Sequence, residues 1–245
     1  MASPEVFRVV SYNLHKVSDD RASLIRVLTA LKPDILIAQE APTGFRWRPR
    51  CAALLSEAGL FYAAGGGGAA AGNLIGVSIR TEVVAEMTNL LPTPLLTQNR
   101  GMVAAVVAIG EVRIAAVGTH LDLDAERRRE HVGAVLTRAR TFAAEYDVPL
   151  VVAADTNETP GQPAWRTLLA AGLTDHGTES GMTIPTVGPD RRIDVILTGA
   201  GLRVLDYRVG AAALDDSPRD AEPITVATLR AASDHLPVLA RISLG

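Results

Sequence analysis

The pentapeptide Ser233-Asp234-His235-Leu236-Pro237 stands directly before the last apolar stretch of the chain, residues 238–242. Because a residue before proline is pushed out of the helical region, we predict that the chain enters this stretch as a strand. At the start of this strand, the carboxylate of Asp234 could bind a metal ion or a proton, and the adjacent imidazole of His235 is a base that titrates near neutral pH. The segment therefore marks one edge of a sheet as a candidate site.

A Ser/His/Asp nucleophilic triad is excluded for this segment. Neighbouring side chains of an extended chain point to opposite sides, so Ser233, Asp234 and His235 cannot hydrogen-bond in series. The chain also lacks the G-x-S-x-G motif that marks the nucleophile of α/β-hydrolases. Partners for Asp234 and His235 must therefore come from other strands.

Length and composition fit one large α/β domain or two small ones, and we predict a single domain over residues 1–245. A chain of 245 residues with 48% hydrophobic content can bury roughly three quarters of its unfolded surface. Its only cysteine, Cys51, excludes internal disulfides. The N-terminus has no signal-peptide pattern, and no apolar run reaches the ~20 residues of a membrane span. We expect a cytoplasmic monomer without a membrane span.

Apolar runs that end in polar residues recur along the chain. Residues 6–14, 35–38, 112–117, 150–154 and 191–197 are predicted strands. The polar residues at or beside their ends are Asn13, Glu40, His120, Asp155, Asn157 and Asp194. Each alone is a common cap or turn residue, but strand ends on one edge of a sheet sandwich converge. Together with the Asp-His pair they predict an acidic pocket that contains imidazoles.

Strand pairing and helices are predicted from the same pattern. Apolar stripes indicate helices that run from Asp19 or Asp20 to Leu31 and over residues 126–146. Successive residues of a helix fan out by about 100°, so we take the triplet Arg127-Arg128-Arg129 as mainly a solvated face. The hairpins that we predict join residues 73–80 with 83–91, 102–109 with 112–117, and 191–197 with 202–209.

One segment, APTGFRWRPR at residues 41–50, alternates arginines with aromatic residues. Such interleaving can clamp a phosphate and stack a base, so Arg46 and Trp47 are candidate substrate-binding residues. The alternative is the start of a helix, predicted from Cys51, whose arginines merely face water. The net charge of −3 gives no general attraction to nucleic acid, although a local basic patch is compatible with it.

Seven short segments carry a resemblance to a known family. They are SYN at 11–13, QE at 39–40, GN at 72–73, THL at 119–121, ADTN at 154–157, RID at 192–194 and SDH at 233–235. In order and spacing they resemble the endonuclease/exonuclease/phosphatase superfamily of metal-dependent phosphoesterases, over nearly the whole chain. The resemblance implies an α/β (α+β) fold, a four-layer sandwich of two mixed, mostly antiparallel β-sheets flanked by helices. It argues against a doubly wound parallel sheet.

The resemblance also implies ligands for a metal ion. Glu40 is expected to be the principal ligand of Mg²⁺ or Mn²⁺, with Asn13 and Asp234 nearby. Carboxylate and amide oxygens suit these hard cations better than Zn²⁺, and the histidines lack close H-x-x-x-H spacing. The GN segment adds Asn73 to the candidate substrate-binding residues, together with Arg100, which precedes a β-rich stretch.

Catalytic roles follow from the same resemblance. His235 is expected to activate water as general base, oriented by Asp194. Asp155 and Asn157 are expected to position the water and the transition state. His120, if protonated, would neutralise a phosphoryl oxygen.

The substrate stays open among several phosphate esters, nucleic acid included. A nuclease-type phosphodiesterase is the first expectation, and a phosphomonoesterase on a small nucleotide, sugar or inositol phosphate is the alternative, favoured by short loops. The Asp-Thr-Asn sequence at residues 155–157 is similar to that of tyrosyl-DNA phosphodiesterases of the family, which makes DNA-end repair one option. His15 stands where abasic-site endonucleases of the family have an acidic residue, which argues against abasic-site repair. A noncatalytic binding protein would usually have lost Glu40, Asp155 or His235, and all three are present.

Overall fold

The computed structural model describes residues 5–94, 97–214 and 223–245, which contain twelve strands and five α-helices. The strands are β1 (Phe7–Asn13), β2 (Ile35–Gln39), β3 (Phe61–Gly65), β4 (Leu74–Val77), β5 (Glu82–Leu90), β6 (Gly101–Ile109), β7 (Val112–His120), β8 (Leu150–Asp155), β9 (Thr174–Asp175), β10 (Asp194–Thr198), β11 (Leu202–Val209) and β12 (Val238–Leu244). The helices are α1 (Arg21–Leu31), α2 (Trp47–Glu57), α3 (Ala125–Glu145), α4 (Pro163–Ala170) and α5 (Val226–Ala232). Among these described helices none is both long and apolar enough to cross a membrane.

The described strands form two six-stranded sheets. The strand order is β11-β12-β1-β2-β4-β3 in the first sheet and β5-β6-β7-β8-β10-β9 in the second. Each sheet contains one parallel pair, β1 with β2 and β7 with β8, and its other neighbours are antiparallel. The predicted sandwich of mixed, mostly antiparallel sheets is confirmed, and the doubly wound parallel sheet is excluded.

The alternation of side chains along β6 separates the layers of the sandwich. Val103 belongs to the cluster that contains Ile37 of β2, whereas Val106 belongs to the cluster that contains Phe142 of α3. The two sheets approach closely at Gly118 of β7, where an added Cβ would lie 2.5 Å from Ile37. Both faces of the second sheet are therefore buried, one against the first sheet and one against helices. Each fully buried valine contributes about 1.5–3 kcal/mol to this packing.

Helix α1 begins where the sequence predicts. The Asp20 carboxylate accepts hydrogen bonds from the backbone N of Ser23 (2.9 Å) and from its hydroxyl (2.6 Å), which satisfies a free donor of the first turn. The helix ends at Leu31, and the next residue, Lys32, has a left-handed φ of 45°. Its apolar stripe, which includes Leu24 and Leu31, is buried in the core of the first sheet.

Two of the three predicted hairpins are wrong. In the first, β4 pairs with β2 and β3, whereas β5 lies beside β6 in the other sheet. In the second, β10 pairs with β8 and β9, whereas β11 lies beside β12 in the other sheet. Only the hairpin of β6 and β7 is confirmed. The connections of residues 78–81 and 199–201 span about 10–14 Å when extended. They reach across the ~10 Å between stacked sheets as readily as to a neighbouring strand.

A buried ion pair fixes the start of β10. Both terminal nitrogens of Arg192 donate to the Asp175 carboxylate, at 3.0 and 2.5 Å, and each side chain is 6% exposed. The guanidinium also lies 4.8 Å from the ring centroid of Trp165. Through these contacts Arg192 connects β9 and α4 to the segment that precedes Asp194, the first residue of β10.

Replacement of Asp175 tests this tie. Asp175→Ala leaves the buried guanidinium of Arg192 without its carboxylate, and the free energy of unfolding should fall by about 3–5 kcal/mol. The control is Asp190→Ala, which removes an ion pair with Arg191 whose side chains are 73% and 58% exposed; a change below about 1 kcal/mol is expected. Urea unfolding measures both, and equal small losses in the two variants would contradict the structural role.

Candidate active site

The ends of the two parallel strand pairs supply four of the predicted site residues. Asn13 ends β1 in register with Gln39, the last residue of β2, and Glu40 follows directly. In the second sheet His120 ends β7 in register with Asp155, the last residue of β8. Asn13 of the first sheet hydrogen-bonds to Asp155 of the second, so the two pairs of ends meet at one edge of the sandwich.

The antiparallel neighbours bring the remaining groups to the same edge. Asp194, the first residue of β10, is in register with Asp155. His235 lies just before β12, whose first residue Val238 pairs with Ser11 of β1. Because antiparallel strands run in opposite directions, their starts lie beside the ends of β1 and β8. This explains why residues distant in the sequence share one edge.

The carboxylate of Asp155 lies at the centre of the group and is 1% exposed. Asn13 Nδ2 donates to its Oδ2 (2.9 Å), and the backbone N of Asn157 donates to its Oδ1 (3.1 Å). His120 Nε2 and His235 Nε2 lie 3.4 and 3.9 Å from Oδ2. Burial raises the pKa of Asp155, but the two imidazoles and these hydrogen bonds outweigh burial and hold the pKa below its usual value.

His235 is oriented by Asp194, as the sequence predicts. Its Nδ1 lies 2.9 Å from Asp194 Oδ2, so Nδ1–H donates to the carboxylate and Nε2 faces Asp155. Burial lowers the pKa of His235, yet the carboxylates of Asp194 and Asp155 more than compensate and raise the pKa to about 9. The protein thus stabilises the imidazolium form of His235 at this edge.

His120 has a different environment. Asn157 Nδ2 donates to the carbonyl oxygen of Leu121 (2.9 Å) and lies 2.8 Å from His120 Nε2, which therefore accepts. The other ring nitrogen, Nδ1, lies 3.8 Å from Glu40 Oε1. Burial lowers the pKa of His120. The arrangement favours a neutral imidazole, whereas the role considered from the sequence required a protonated one.

The donor atoms fit a divalent metal ion. Ligand atoms of Asp155, Asp194 and His235 lie within 4.8 Å of one another. Asp194 Oδ1 is buried and has no hydrogen-bond partner among the described residues, which leaves one acceptor free for a cation. Glu40 and Asn13, two predicted metal ligands, border the cluster through His120 and Asp155 respectively. Carboxylate oxygens are the donors that hard divalent cations prefer.

Asp234, the third predicted metal ligand, lies at the rim. Its side chain is 48% exposed, and its Oδ1 lies 3.7 Å from Nδ1 of His15. The same nitrogen of His15 is 2.7 Å from Asp19 Oδ2. The structure therefore places Asp234 next to His15, outside the buried cluster.

Residues 10–235 match the profile of the Endonuclease/Exonuclease/phosphatase family. The chain belongs to this family. No curated protein sequence matches it significantly.

Solved structures agree with the family fold. The mannosyl-6-phosphatase Bt3783 of Bacteroides thetaiotaomicron is similar with a TM-score of 0.76 and 16% identity, over 97% of this chain and 100% of that one. The human Nocturnin catalytic domain has a TM-score of 0.70 and 17% identity, over 99% and 94% of the two chains. Truncated Caenorhabditis elegans TDP2 has a TM-score of 0.62 and 18% identity, over 97% of both. At such identities the likeness shows the fold.

In this member of the endonuclease/exonuclease/phosphatase family, Arg100 and Asn73 are both buried. Arg100 is 5% exposed, its Nε has no hydrogen-bond partner among the described residues, and it lies 3.9 Å from Asp122 Oδ2. Burial lowers the pKa of Arg100, while the nearby carboxylates of the site oppose this effect. Asn73 Nδ2 donates to the carbonyl oxygens of Ala70 (2.8 Å) and Gly101 (3.0 Å), which fastens a turn to the start of β6.

Trp47 and Arg46 differ in their exposure. α2 begins at Trp47, before the predicted start at Cys51, and the half-buried indole lies against the glycine-rich turn of residues 66–72. An added Cβ at Gly67 would lie 2.4 Å from the indole ring. Arg46 is exposed at the helix N-cap with a left-handed φ of 56°. Of the two candidates, only Arg46 therefore presents its side chain freely to a substrate.

Sequence reasoning missed one supporting pair. Arg128 is 12% exposed, so the arginine triplet is not simply a solvated face; its Nε donates to Glu158 Oε2 (3.1 Å). Glu158 Oε1 accepts from the backbone N of Trp165 (2.7 Å), and its carbonyl oxygen accepts from the Thr156 hydroxyl (2.7 Å). Glu158 thus fixes the loop that carries Asn157. The sequence did contain a signal for this role, because Glu158 directly follows the ADTN segment.

The interaction between Asp194 and His235 can be tested in metal-free protein. Asp194→Asn removes a negative charge and the charged acceptor of Nδ1–H, so the protonated form of His235 is stabilised less. NMR titration in EDTA should give His235 a pKa of about 9 in the wild type and a value lower by two units or more, as an order of magnitude, in the variant. The same pKa in both proteins would contradict the assigned contact.

Proposed function

We propose that this protein is a divalent-metal-dependent phosphodiesterase that hydrolyses phosphate esters, with nucleotide phosphodiesters as the first substrate class. The observation that carries the proposal is the buried cluster of Asp155, Asp194 and His235 bordered by Glu40 and His120. Phosphodiester hydrolysis needs a cation on the phosphoryl oxygens, an activated water and protection of the leaving oxyanion. The cluster holds acidic and basic groups within reach of each of these positions.

The metal ion would be Mg²⁺ or Mn²⁺, held by Glu40 and Asn13 beside the carboxylate of Asp155. When bound, such an ion neutralises charge on the phosphoryl oxygens and on the leaving oxygen. The oxygen-rich donor set and the free acceptor of Asp194 support a hard cation at this edge.

Proton transfer falls to His235. Its Nδ1–H is held by Asp194, so in the neutral form Nε2 is the atom that accepts a proton from the attacking water. The imidazolium that results is stabilised by Asp194 and Asp155, the same charges that raise the pKa of His235. Asp155, kept ionised, and the amide of Asn157 orient the water toward phosphorus.

A phosphomonoesterase on a small nucleotide, sugar or inositol phosphate is the second candidate. Trp47 is half-buried against the glycine-rich turn, which leaves less of its ring for a nucleic-acid base. A similar structure is that of a mannosyl-6-phosphatase. Comparison of bis-p-nitrophenyl phosphate and p-nitrophenyl phosphate with plasmid DNA, single-stranded DNA, RNA and sphingomyelin distinguishes the two functions, because only a phosphodiesterase prefers the diesters.

Metal dependence is the first functional test. Excess EDTA should abolish hydrolysis, and Mg²⁺ or Mn²⁺ should restore it. Glu40→Gln should remove activity and weaken Mg²⁺ binding by calorimetry while the fold persists, because an amide is a weaker ligand than a carboxylate. Glu82→Gln, at the exposed start of β5, is the matched control and should behave as wild type. Full activity of Glu40→Gln or of the wild type in EDTA would exclude this mechanism.

Loss of the proposed base is the second test. His235→Ala should lower kcat by about 10²–10⁴-fold, with little change in metal affinity, since proton transfer is lost while Glu40 remains. The control is His176→Ala: His176 contacts Thr198 (2.9 Å), at the opposite end of β10 from Asp194, about 13 Å away. A loss below tenfold for His235→Ala would assign the base elsewhere, with Asp155 as the next candidate.

A further inference from the structure

A surface cavity of about 470 Å³ lies beside helix α2, and its charged and aromatic walls include Phe45, Arg46 and Arg50. Its lining also contains Val17 and Pro42. A volume of this size lies in the range of pockets that bind small organic ligands. We refer to it as the Phe45–Arg50 cavity.

The Phe45–Arg50 cavity carries unneutralised positive charge. Arg21, which also lines it, is held by both carboxylate oxygens of Glu57 at 2.6 and 2.8 Å. By contrast, the guanidinium groups of Arg46 and Arg50 form no ion pair or hydrogen bond within the described part of the chain. They lie four positions apart, one turn along α2, so both can approach one anionic group.

Phe45 adds an aromatic surface to these charges. Its side chain is 90% exposed, the most exposed of the large hydrophobic residues described. Among the described residues the ring belongs to neither apolar cluster, unlike the indole of Trp47, which packs against the core. Phe45 is therefore the aromatic group of this segment that a planar ligand can cover.

Two loops that leave the candidate active site form the walls of the cavity. Pro42 lies two residues after Glu40, and Val17 lies four residues after Asn13. Such chain lengths span at most about 7 and 14 Å. Val17 and Glu40 also adopt left-handed φ values of 56° and 51°, backbone strain of a kind that concentrates at functional sites. The two walls of the cavity therefore lie within about 7 and 14 Å of Glu40 and Asn13, the span of a short stretch of a bound chain.

We propose that the Phe45–Arg50 cavity binds the nucleotide next to the hydrolysed phosphodiester, with its base on Phe45 and its phosphate on Arg46 and Arg50. This inference rests on the proposed phosphodiesterase function and specifies its substrate. The cavity volume of about 470 Å³ suits one nucleotide unit, and a base that stacks on Phe45 must be unpaired. The substrate is therefore a single strand or a strand end, and recognition extends one nucleotide beyond the reacting phosphate.

The test compares short oligothymidylates that differ by one phosphate. KM for the wild type with Mg²⁺ should fall about tenfold or more from TpT to TpTpT, which supplies a second phosphate, and less than about threefold further to a hexamer. A matched oligouridylate series shows whether the strand is DNA or RNA. In the Arg46→Ala/Arg50→Ala double variant the fall from TpT to TpTpT should disappear. Phe45→Ala should raise KM for TpTpT about tenfold but not for an analogue that lacks the base over Phe45.

Arg48→Ala is the matched control, because the Arg48 guanidinium lies over the rings of Trp47 (5.4 Å) and Tyr62 (5.8 Å) and does not line the cavity. It should keep the wild-type dependence on length. An undiminished gain from TpT to TpTpT in the double variant, or an equal loss in Arg48→Ala, would overturn the proposal.

Calorimetric binding of TpTpT in EDTA separates this inference from the proposed function. If no ester is hydrolysed but the double variant binds TpTpT at least tenfold more weakly than wild type, the cavity is supported and the phosphodiesterase assignment fails. If bis-p-nitrophenyl phosphate is hydrolysed while wild type and double variant bind TpTpT equally, the assignment stands and the cavity proposal is wrong.

Discussion

The hydrogen bond from Asn13 Nδ2 to Asp155 Oδ2 joins the ends of the two parallel strand pairs across the sandwich. Its partners come from different sheets, so the bond forms only when the two sheets pack in a defined relative position. That position depends on close contacts such as the one between Gly118 and Ile37. Packing of the central layers and assembly of the candidate site are therefore one event.

Buried charge at this edge is stabilised by pairing. Asp155 and Asp194 are each 1% exposed, and isolated carboxylates at such depth would be strongly destabilising. His235 bridges the two electrostatically, and Asn13 and the backbone of Asn157 supply hydrogen bonds. The remaining acceptor of Asp194 is the point at which the network is incomplete. An incomplete buried network is typical of a site that completes itself with a ligand.

The groups proposed for catalysis and those proposed for recognition come from different parts of the fold. The groups proposed for catalysis lie at strand ends, where sheet register fixes them, whereas the groups proposed for recognition lie at the start of α2. Ion pairs such as Arg128 with Glu158 and Arg192 with Asp175 hold the segments next to Asn157 and Asp194. A helix start can change its side chains without disturbing the strand ends, so substrate preference can vary while the reacting groups stay in place.

Short-range patterns in the sequence predict most of the strands, a cap of α1 at Asp19 or Asp20, and the polar residues beside the strand ends, because burial and capping are local properties. Apolar alternation and polar residues after buried runs are local signals. Only the tertiary structure decided that β5 and β11 cross to the other sheet, since alternation reports burial but not the partner strand. It also decided that Trp47 is half-buried whereas Phe45 is exposed, because exposure depends on a turn some twenty residues away that packs against the indole of Trp47.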